Sequence, residues 1–255
     1  SLALVGCGQD EKDPNHIKVG VIVGAEQQVA EVAQKVAKEK YGLDVELVTF
    51  NDYVLPNEAL SKGDIDVNAF QHKPYLDQQI KDRGYKLVAV GNTFVYPIAG
   101  YSKKIKSLDE LQPGSQIAVP NDPTNLGRSL LLLQQVGLIK LKDGVGLLPT
   151  SLDIVENPKN LKIVELEAPQ LPRSLDDAQI ALAVINTTYA SQIGLTPAKD
   201  GIFVEGKESP YVNLIVARED NKDAENVKKF VQAYQSDEVY EAANKIFNGG
   251  AVKGW

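Results

Sequence analysis

An arginine at the start of a Leu-rich segment is the residue with the clearest potential for chemistry. Residues 118–135 read AVPNDPTNLGRSLLLLQQ: an apolar run ends at a proline, capping residues follow, and a helix begins with Arg128 near its N-terminus. A helix N-terminus carries partial positive charge, so a cation there is unfavourable unless it reaches water or faces an anion. A guanidinium and helix N–H groups can together bind a carboxylate. We therefore predict that Arg128 and this helix end share one carboxylate.

Aromatic and amide side chains recur just after the predicted strands. They are Tyr53, Phe70, His72, Tyr75, Asn186 and Asn213. Taken singly, an aromatic residue is more often a core residue, and an asparagine is more often a turn or cap residue. Together with Arg128, the set would form an apolar box with a few polar groups, which suits a small amphipathic ligand.

Motifs for catalysis and for metal binding find no support in the sequence. GIFVEGKE (201–208) has the glycine and lysine spacing of a phosphate loop, but Glu208 replaces the Ser or Thr that would bind magnesium. Neither a G-x-S-x-G elbow nor a G-x-G-x-x-G turn occurs, and the two histidines, His16 and His72, lack the spacing of a zinc site. We expect no enzymatic activity, no cofactor and no metal.

The composition limits the class of partner. The chain has 255 residues and a formal net charge of −7, which argues against a nucleic-acid partner. No apolar run reaches the length needed to span a bilayer.

The single cysteine lies in a pattern that resembles the lipobox of bacterial lipoproteins. Residues 4–7 read LVGC, and the polar segment 8–15 suits a flexible tether. On this interpretation 1–6 is the residual signal peptide and 7–15 is the lipidated Cys7 with its tether. The protein would then be anchored by lipid at the periplasmic face of a bacterial cell membrane. An incidental cysteine is the alternative.

Strands and helices alternate after the tether. Apolar runs at 17–24, 44–50, 65–70 and 86–91 predict strands, and the segments between them have helical spacing. A second set follows from a capping box at Ser107–Glu110 onward, and residues 224–247 close the chain as helix. This order predicts an α/β fold with mostly parallel sheets. Without a Pro/Gly-rich linker, we expect two lobes with a ligand cleft between them.

Four stretches carry a resemblance to a known family. VNAFQHKPYLDQQ, AVPNDPTNLGRSLLLLQ, ALAVINTTYA and SPYVNLIV resemble the methionine-binding lipoproteins of the NlpA family, and the likeness covers essentially the whole chain. It implies a type II periplasmic-binding-protein fold, with residues 16–97 plus 207–255 as lobe 1, residues 98–206 as lobe 2, and a hinge between them. It also implies an extracytoplasmic substrate-binding lipoprotein that captures methionine and delivers it to the membrane permease and ATPase subunits of an ABC importer. The preference between L- and D-methionine is left open.

The resemblance assigns roles to the candidate residues. Arg128 would clamp the α-carboxylate of the ligand, and Asn213 and Asn186 would bind its amino-acid head group. The walls around the thioether would be Tyr53, Phe70, His72 and Tyr75, because sulfur–aromatic contacts are favourable. Asn125 is a further candidate beside the helix end. For the ammonium we favour amides and backbone carbonyls, since the nearby Asp122 is equally well explained as a helix cap.

Three other functions remain open at this stage. A hydrolase could use His72 with an acidic residue, although the sequence offers no nucleophile to go with it. A scaffold or adhesion lipoprotein would have a cleft that binds nothing. Within the binding class, the ligand could be a short methionine-containing peptide.

Overall fold

The computed structural model describes residues 13–207 and 209–255. The lipobox interpretation concerns Cys7, which lies outside the described residues, as does Glu208. Residues 13–15 form a turn against the first lobe, where the backbone N–H of Asp44 donates to the carbonyl of Asn15 (2.8 Å).

A mixed six-stranded sheet forms the centre of the first lobe. Its strands are β1 (His16–Ile22), β2 (Asp44–Phe50), β3 (Val67–His72), β4 (Leu87–Val95), β12 (Val212–Arg218) and β13 (Val252–Lys253). The order across the sheet is β13-β4-β12-β3-β1-β2. β1 runs parallel to β2 and β3, whereas β12 runs antiparallel to both of its neighbours. The strand from near the chain end therefore lies in the middle of the sheet.

Five helices cover this sheet. They are α1 (Ala25–Tyr41), α2 (Leu55–Lys62), α3 (Lys73–Arg83), α8 (Glu225–Tyr234) and α9 (Asp237–Ile246). α1 ends at Gly42 in the left-handed conformation (φ 61°), where a glycine C-cap is favoured. The helix predicted over residues 224–247 forms as two helices, because the segment breaks after Tyr234 and Ser236 caps the second helix by accepting from the N–H of Val239.

The second lobe is built around a five-stranded sheet. Its strands are β5 (Ala99–Tyr101), β6 (Gln116–Pro120), β9 (Lys162–Leu166), β10 (Ile180–Ile185) and β11 (Phe203–Val204), in the order β11-β5-β10-β6-β9. Its helices are α4 (Pro123–Gln135), α5 (Leu171–Ser174), α6 (Thr187–Gln192) and α7 (Pro197–Asp200). A small hairpin, β7 (Lys140–Leu141) with β8 (Ile154–Glu156), extends from this lobe. The predicted capping box at Ser107–Glu110 is confirmed and begins a 3-10 helix.

The expectation of mostly parallel sheets is wrong. In both sheets about half of the pairings are antiparallel. In the first sheet the chain leaves after β4 and re-enters as β12 in the opposite direction, and in the second sheet β5 runs antiparallel to β10 and β11. Residues 176–179 form a turn before β10. The short strands β5, β7, β8, β11 and β13 carry too few residues to show a periodic pattern in the sequence.

The chain crosses between the lobes twice, and the crossings bound the cleft. The first crossing lies between Val95 and Ala99, and the second lies between Val204 and Val212. Each lobe has its own apolar core, and a third cluster contains residues of both lobes, among them Phe70 of the first and Tyr189 of the second.

A buried network of amides holds the end of β3 against α2. The side chain of Asn57 exchanges hydrogen bonds with Gln71 (3.0 and 2.8 Å), and Asn68 donates to Asn57 (2.9 Å). All three side chains are buried, so each unmade bond would be expensive. The network thereby fixes the backbone that carries Phe70 and His72 into the cleft.

Membrane-spanning helices are absent from the part of the chain that the structure describes, since none of its helices is both long and apolar enough.

Gly127, the residue before Arg128 in α4, lies against the backbone of the 147–149 segment. A Cβ at this position would overlap the carbonyl oxygen of Leu147, which cannot move without shifting the chain. Gly127→Ala should therefore lower the free energy of unfolding by about 1–3 kcal/mol, despite the higher helix propensity of alanine. Urea denaturation measures the difference.

Gly206→Ala is the matched control for this substitution. Among the described residues, a Cβ there would meet only Gln135 Nε2 at 3.6 Å, an ordinary van der Waals distance, so stability should change little. Equal stability of the two variants would contradict the close approach at Gly127.

Candidate functional site

One cavity between the two lobes collects all seven residues singled out in the sequence. It encloses about 360 Å³ that protein atoms do not fill, including the part continuous with solvent at its mouth. The lining residues are Glu26, Tyr53, Phe70, Gln71, His72, Tyr75, Tyr96, Asn125, Arg128, Asn186, Thr187, Thr188 and Asn213.

Arg128 is buried and already faces a carboxylate of the protein. Its Nε and Nη2 donate to the two carboxylate oxygens of Glu205 at 3.0 and 2.7 Å. Nη2 also donates to the backbone carbonyl of Tyr96 (3.0 Å), and the guanidinium carbon lies 4.3 Å from the ring centre of Tyr211. This is the paired, stacked arrangement that a buried guanidinium needs.

The prediction that Arg128 and the helix end share one carboxylate is wrong as regards the helix end. Arg128 is the sixth residue of α4, and the N-terminus of α4 is capped by Asp122, whose carboxylate accepts from the N–H of Asn125 (3.2 Å). Thr124 and the amide of Asn125 also donate to it. The interpretation of Asp122 as a helix cap is therefore confirmed. Burial nevertheless raises the pKa of Asp122, and these hydrogen bonds only partly offset that effect.

His72 joins the two lobes through a chain of hydrogen bonds. Its Nδ1 accepts from the N–H of Tyr75 (3.1 Å), so Nε2 carries the proton and donates to Asn125 Oδ1 (2.8 Å). The same oxygen accepts from Asn186 Nδ2 (3.1 Å). Burial, together with the nearby charge of Arg128, lowers the pKa of His72 to about 3. His72 is thus neutral at physiological pH, with both ring nitrogens engaged.

A few polar atoms in the cavity are left available for a ligand. The buried oxygen Asn186 Oδ1 has no hydrogen-bond partner among the described residues. Within the same part of the chain, Arg128 Nη1 and the amide of Asn213 make no hydrogen bond either. Buried polar groups are normally paired, so these groups mark where a polar ligand would bind.

Aromatic rings form one wall of the cavity. The ring of Tyr53 lies 5.9 Å from Phe70, 5.8 Å from Tyr75 and 4.9 Å from Tyr189, measured between ring centres. The hydroxyl of Tyr75 donates to the backbone carbonyl of Tyr53 (2.9 Å), which fixes the loop after β2. The cavity therefore has an apolar wall in addition to its polar groups.

Glu26 contributes a buried carboxyl group at the start of α1. Thr188 of the second lobe donates to it, and both residues line the cavity. Burial raises the pKa of Glu26 to about 7, and the bond from Thr188 offsets this only in part. Two further bonds join the same elements: the N–H of Ala25 donates to Ser191 Oγ (3.2 Å), and Gln192 donates to the carbonyl of Val23 (2.9 Å).

The sequence interpretation missed several residues of this site. Glu26 follows the end of β1 just as Tyr53 follows the end of β2, so its position after a strand was a usable signal. Glu205 lies in the GIFVEGKE segment, which was considered only as a phosphate loop. Its partner Arg128 is 77 residues away in the sequence, so no local pattern indicates the pair. Among the described residues, no group of three or more His, Cys, Asp and Glu could hold a metal ion.

Comparison with known proteins shows which family this chain belongs to. The family model described as NlpA lipoprotein matches residues 17–255. The chain belongs to the NlpA lipoprotein family. The D-methionine-binding lipoprotein MetQ of Escherichia coli K12 is 96% identical over 255 residues, which is all of this chain and 94% of that protein.

Solved structures of NlpA-family and related proteins share the fold. A crystal structure of the methionine binding protein MetQ superposes with a TM-score of 0.94 at 95% identity, covering 95% of this chain and 99% of that one. A nutrient binding protein from Burkholderia cenocepacia, solved bound to methionine, gives a TM-score of 0.90 at 55% identity over 94% of this chain and all of the other. The NlpA-family chain described here therefore has the two-lobed type II periplasmic-binding-protein fold that its sequence resemblance implies.

The two buried titratable groups in the cavity make opposite contributions to stability as pH changes. The raised pKa of Glu26 stabilises the fold below about pH 4.5, and this contribution is lost as pH rises through about 7. The lowered pKa of His72 stabilises the fold above about pH 6.5, and that contribution is lost as pH falls towards about 3. Between about pH 4.5 and 6.5 the two effects oppose each other.

Glu26→Gln should remove one of these contributions. In that variant the free energy of unfolding should rise with pH more steeply than in the wild type, by about 1.4 kcal/mol per pH unit between pH 4.5 and 6.5. Urea denaturation at several pH values measures the slope. Glu39→Gln, at an exposed position of the same helix, should leave it unchanged. Parallel curves for the wild type and Glu26→Gln would contradict a buried carboxyl at this position.

Proposed function

We propose that this protein is the substrate-binding component of an ABC importer and that its ligand is methionine. The single observation that carries the proposal is the cavity, in which unpaired polar atoms of Arg128, Asn186 and Asn213 accompany a wall of aromatic rings. An amino acid with an apolar side chain matches this arrangement, because it has a charged head group at one end and an apolar group at the other. The names of the relatives and the methionine-bound neighbour support the choice of methionine.

Each end of the ligand has a matching group. The carboxylate of methionine accepts from Arg128 Nη1, and its ammonium donates to Asn186 Oδ1, with Asn213 completing the contacts to the head group. The thioether lies among Tyr53, Phe70, His72 and Tyr75, where sulfur–aromatic contacts are favourable. The proposed ligand-binding residues are therefore Arg128, Asn213, Asn186, Tyr53, Phe70, His72 and Tyr75.

Binding and closure are coupled through the two crossings. We assign residues 16–97 with 207–255 to one lobe and 98–206 to the other, with the hinge at the crossings. A ligand favours the closed state by its differential affinity for the two states, and contacts from both lobes provide that difference. The closed protein then delivers methionine to the permease and ATPase subunits of the importer.

The alternatives find less support in the geometry. A hydrolase that used His72 would need a free ring nitrogen, yet both nitrogens are engaged and the pKa lies far below the useful range. A pure scaffold would not need unpaired buried polar atoms in its cleft. The small size of the cavity favours a single amino acid over a peptide.

The test of this function is ligand capture. We expect native mass spectrometry of the purified protein to show a bound mass equal to methionine, lost on unfolding, and titration calorimetry to show that L-methionine rebinds. Arg128→Ala should weaken binding by roughly a hundredfold, because a buried carboxylate would lose its charge-assisted bond.

Arg83→Ala is the control for this variant, since Arg83 is an exposed arginine of α3 outside the cavity. Its affinity should match that of the wild type. Affinity of Arg128→Ala within threefold of the wild type would show that the carboxylate binds elsewhere. If no amino acid binds the wild type at all, the scaffold or enzyme alternatives regain support.

The family name supports a lipid anchor, which we assign to Cys7. Mature protein from bacterial membranes should begin at Cys7 and carry the mass of a diacylglycerol on it. Cys7→Ser should lack the added lipid mass and the new N-terminus at residue 7, whereas the conservative surface variant Ser61→Thr should keep both. A diacylglycerol mass that persists in Cys7→Ser would exclude Cys7 as the anchor.

A further inference from the structure

Glu205 holds the guanidinium of Arg128 but does not itself line the cavity. The two side chains are nearly inaccessible to solvent, with 5% of Arg128 and 11% of Glu205 exposed. Their two parallel hydrogen bonds, at 3.0 and 2.7 Å, are bidentate. Such a pair fixes both the position and the plane of the guanidinium.

The remaining contacts of the Arg128 guanidinium leave one of its nitrogens facing the cavity. The backbone carbonyl of Tyr96 accepts from Nη2, and the ring of Tyr211 covers one face of the guanidinium. Nε and Nη2 are therefore used within the protein. Nη1 is left for the cavity, so the orientation that Glu205 imposes decides which nitrogen a ligand meets.

Glu205 also balances the charge of Arg128 before any ligand arrives. Around the cavity, His72 is neutral and Glu26 is largely protonated below about pH 7, while the charge of Asp122 faces the positive end of α4. A ligand that carried only a carboxylate would therefore leave an uncompensated negative charge in a buried site, which is expensive. A ligand that brings its own ammonium would not.

We propose that Glu205 is a specificity-determining residue: it orients the guanidinium of Arg128 and cancels its charge, so that the cavity accepts a zwitterionic amino acid and rejects the matching carboxylate anion. This inference rests on the proposed function, in which the cavity binds methionine. It assigns to the second crossing a role in ligand selection.

A pair of ligands that differ only in the ammonium tests the proposal. L-methionine and 4-(methylthio)butanoate share the thioether side chain and the carboxylate, and the second compound is smaller, so size does not exclude it. At about pH 6, calorimetry should show that the wild type prefers methionine by a hundredfold or more. In Glu205→Gln the unpaired guanidinium favours the anion, and this preference should fall at least tenfold.

Glu205→Asp is the conservative control, because it keeps the charge while shortening the side chain. It should bind both compounds more weakly and retain most of the wild-type preference. The proposal is overturned if the wild type binds both compounds equally, or if Glu205→Gln weakens both to the same extent, as a purely structural role would require. A wild type that binds neither compound overturns the proposed function itself.

Discussion

A positive charge buried between two lobes is the constraint on which the rest of this structure depends. The guanidinium of Arg128 comes from α4 of the second lobe, but its partners come from the crossings: Tyr96 from the first, and Glu205 and Tyr211 from the second. Removing a guanidinium from water is expensive unless its donors are satisfied. Both connections between the lobes must therefore converge on one side chain, and the cavity forms beside it.

The polar groups of the cavity satisfy one another almost completely. Asn125 accepts from His72 and Asn186 through one oxygen, and its amide nitrogen donates to Asp122. Such networks fix rotamers and tautomers in advance, so a ligand meets a preorganised surface. The few polar atoms that remain without a partner determine which ligand binds, because a ligand that does not pair with them leaves them buried and unsatisfied.

The sequence predicts this molecule well where structure is decided locally. The apolar spacing of α1 and the capping box at Ser107–Glu110 depend on neighbouring residues, and both are found where the pattern places them. The seven candidate residues converge because strand ends of the two sheets face each other across the cleft. The antiparallel entry of β12 and the pairing of Glu205 with Arg128 depend on residues far apart in the sequence, and no periodicity encodes them.

The central place of β12 in the first sheet has a consequence for the order of folding. The second sheet is made from one continuous stretch of chain, 99–204, whereas β12 pairs with β3 and β4 only after that whole stretch has been passed. Closing so long a loop is entropically unfavourable until its ends are brought together, and compaction of the second lobe does this. Folding of the second lobe therefore lowers the entropic cost of pairing β12 with β3 and β4 in the first.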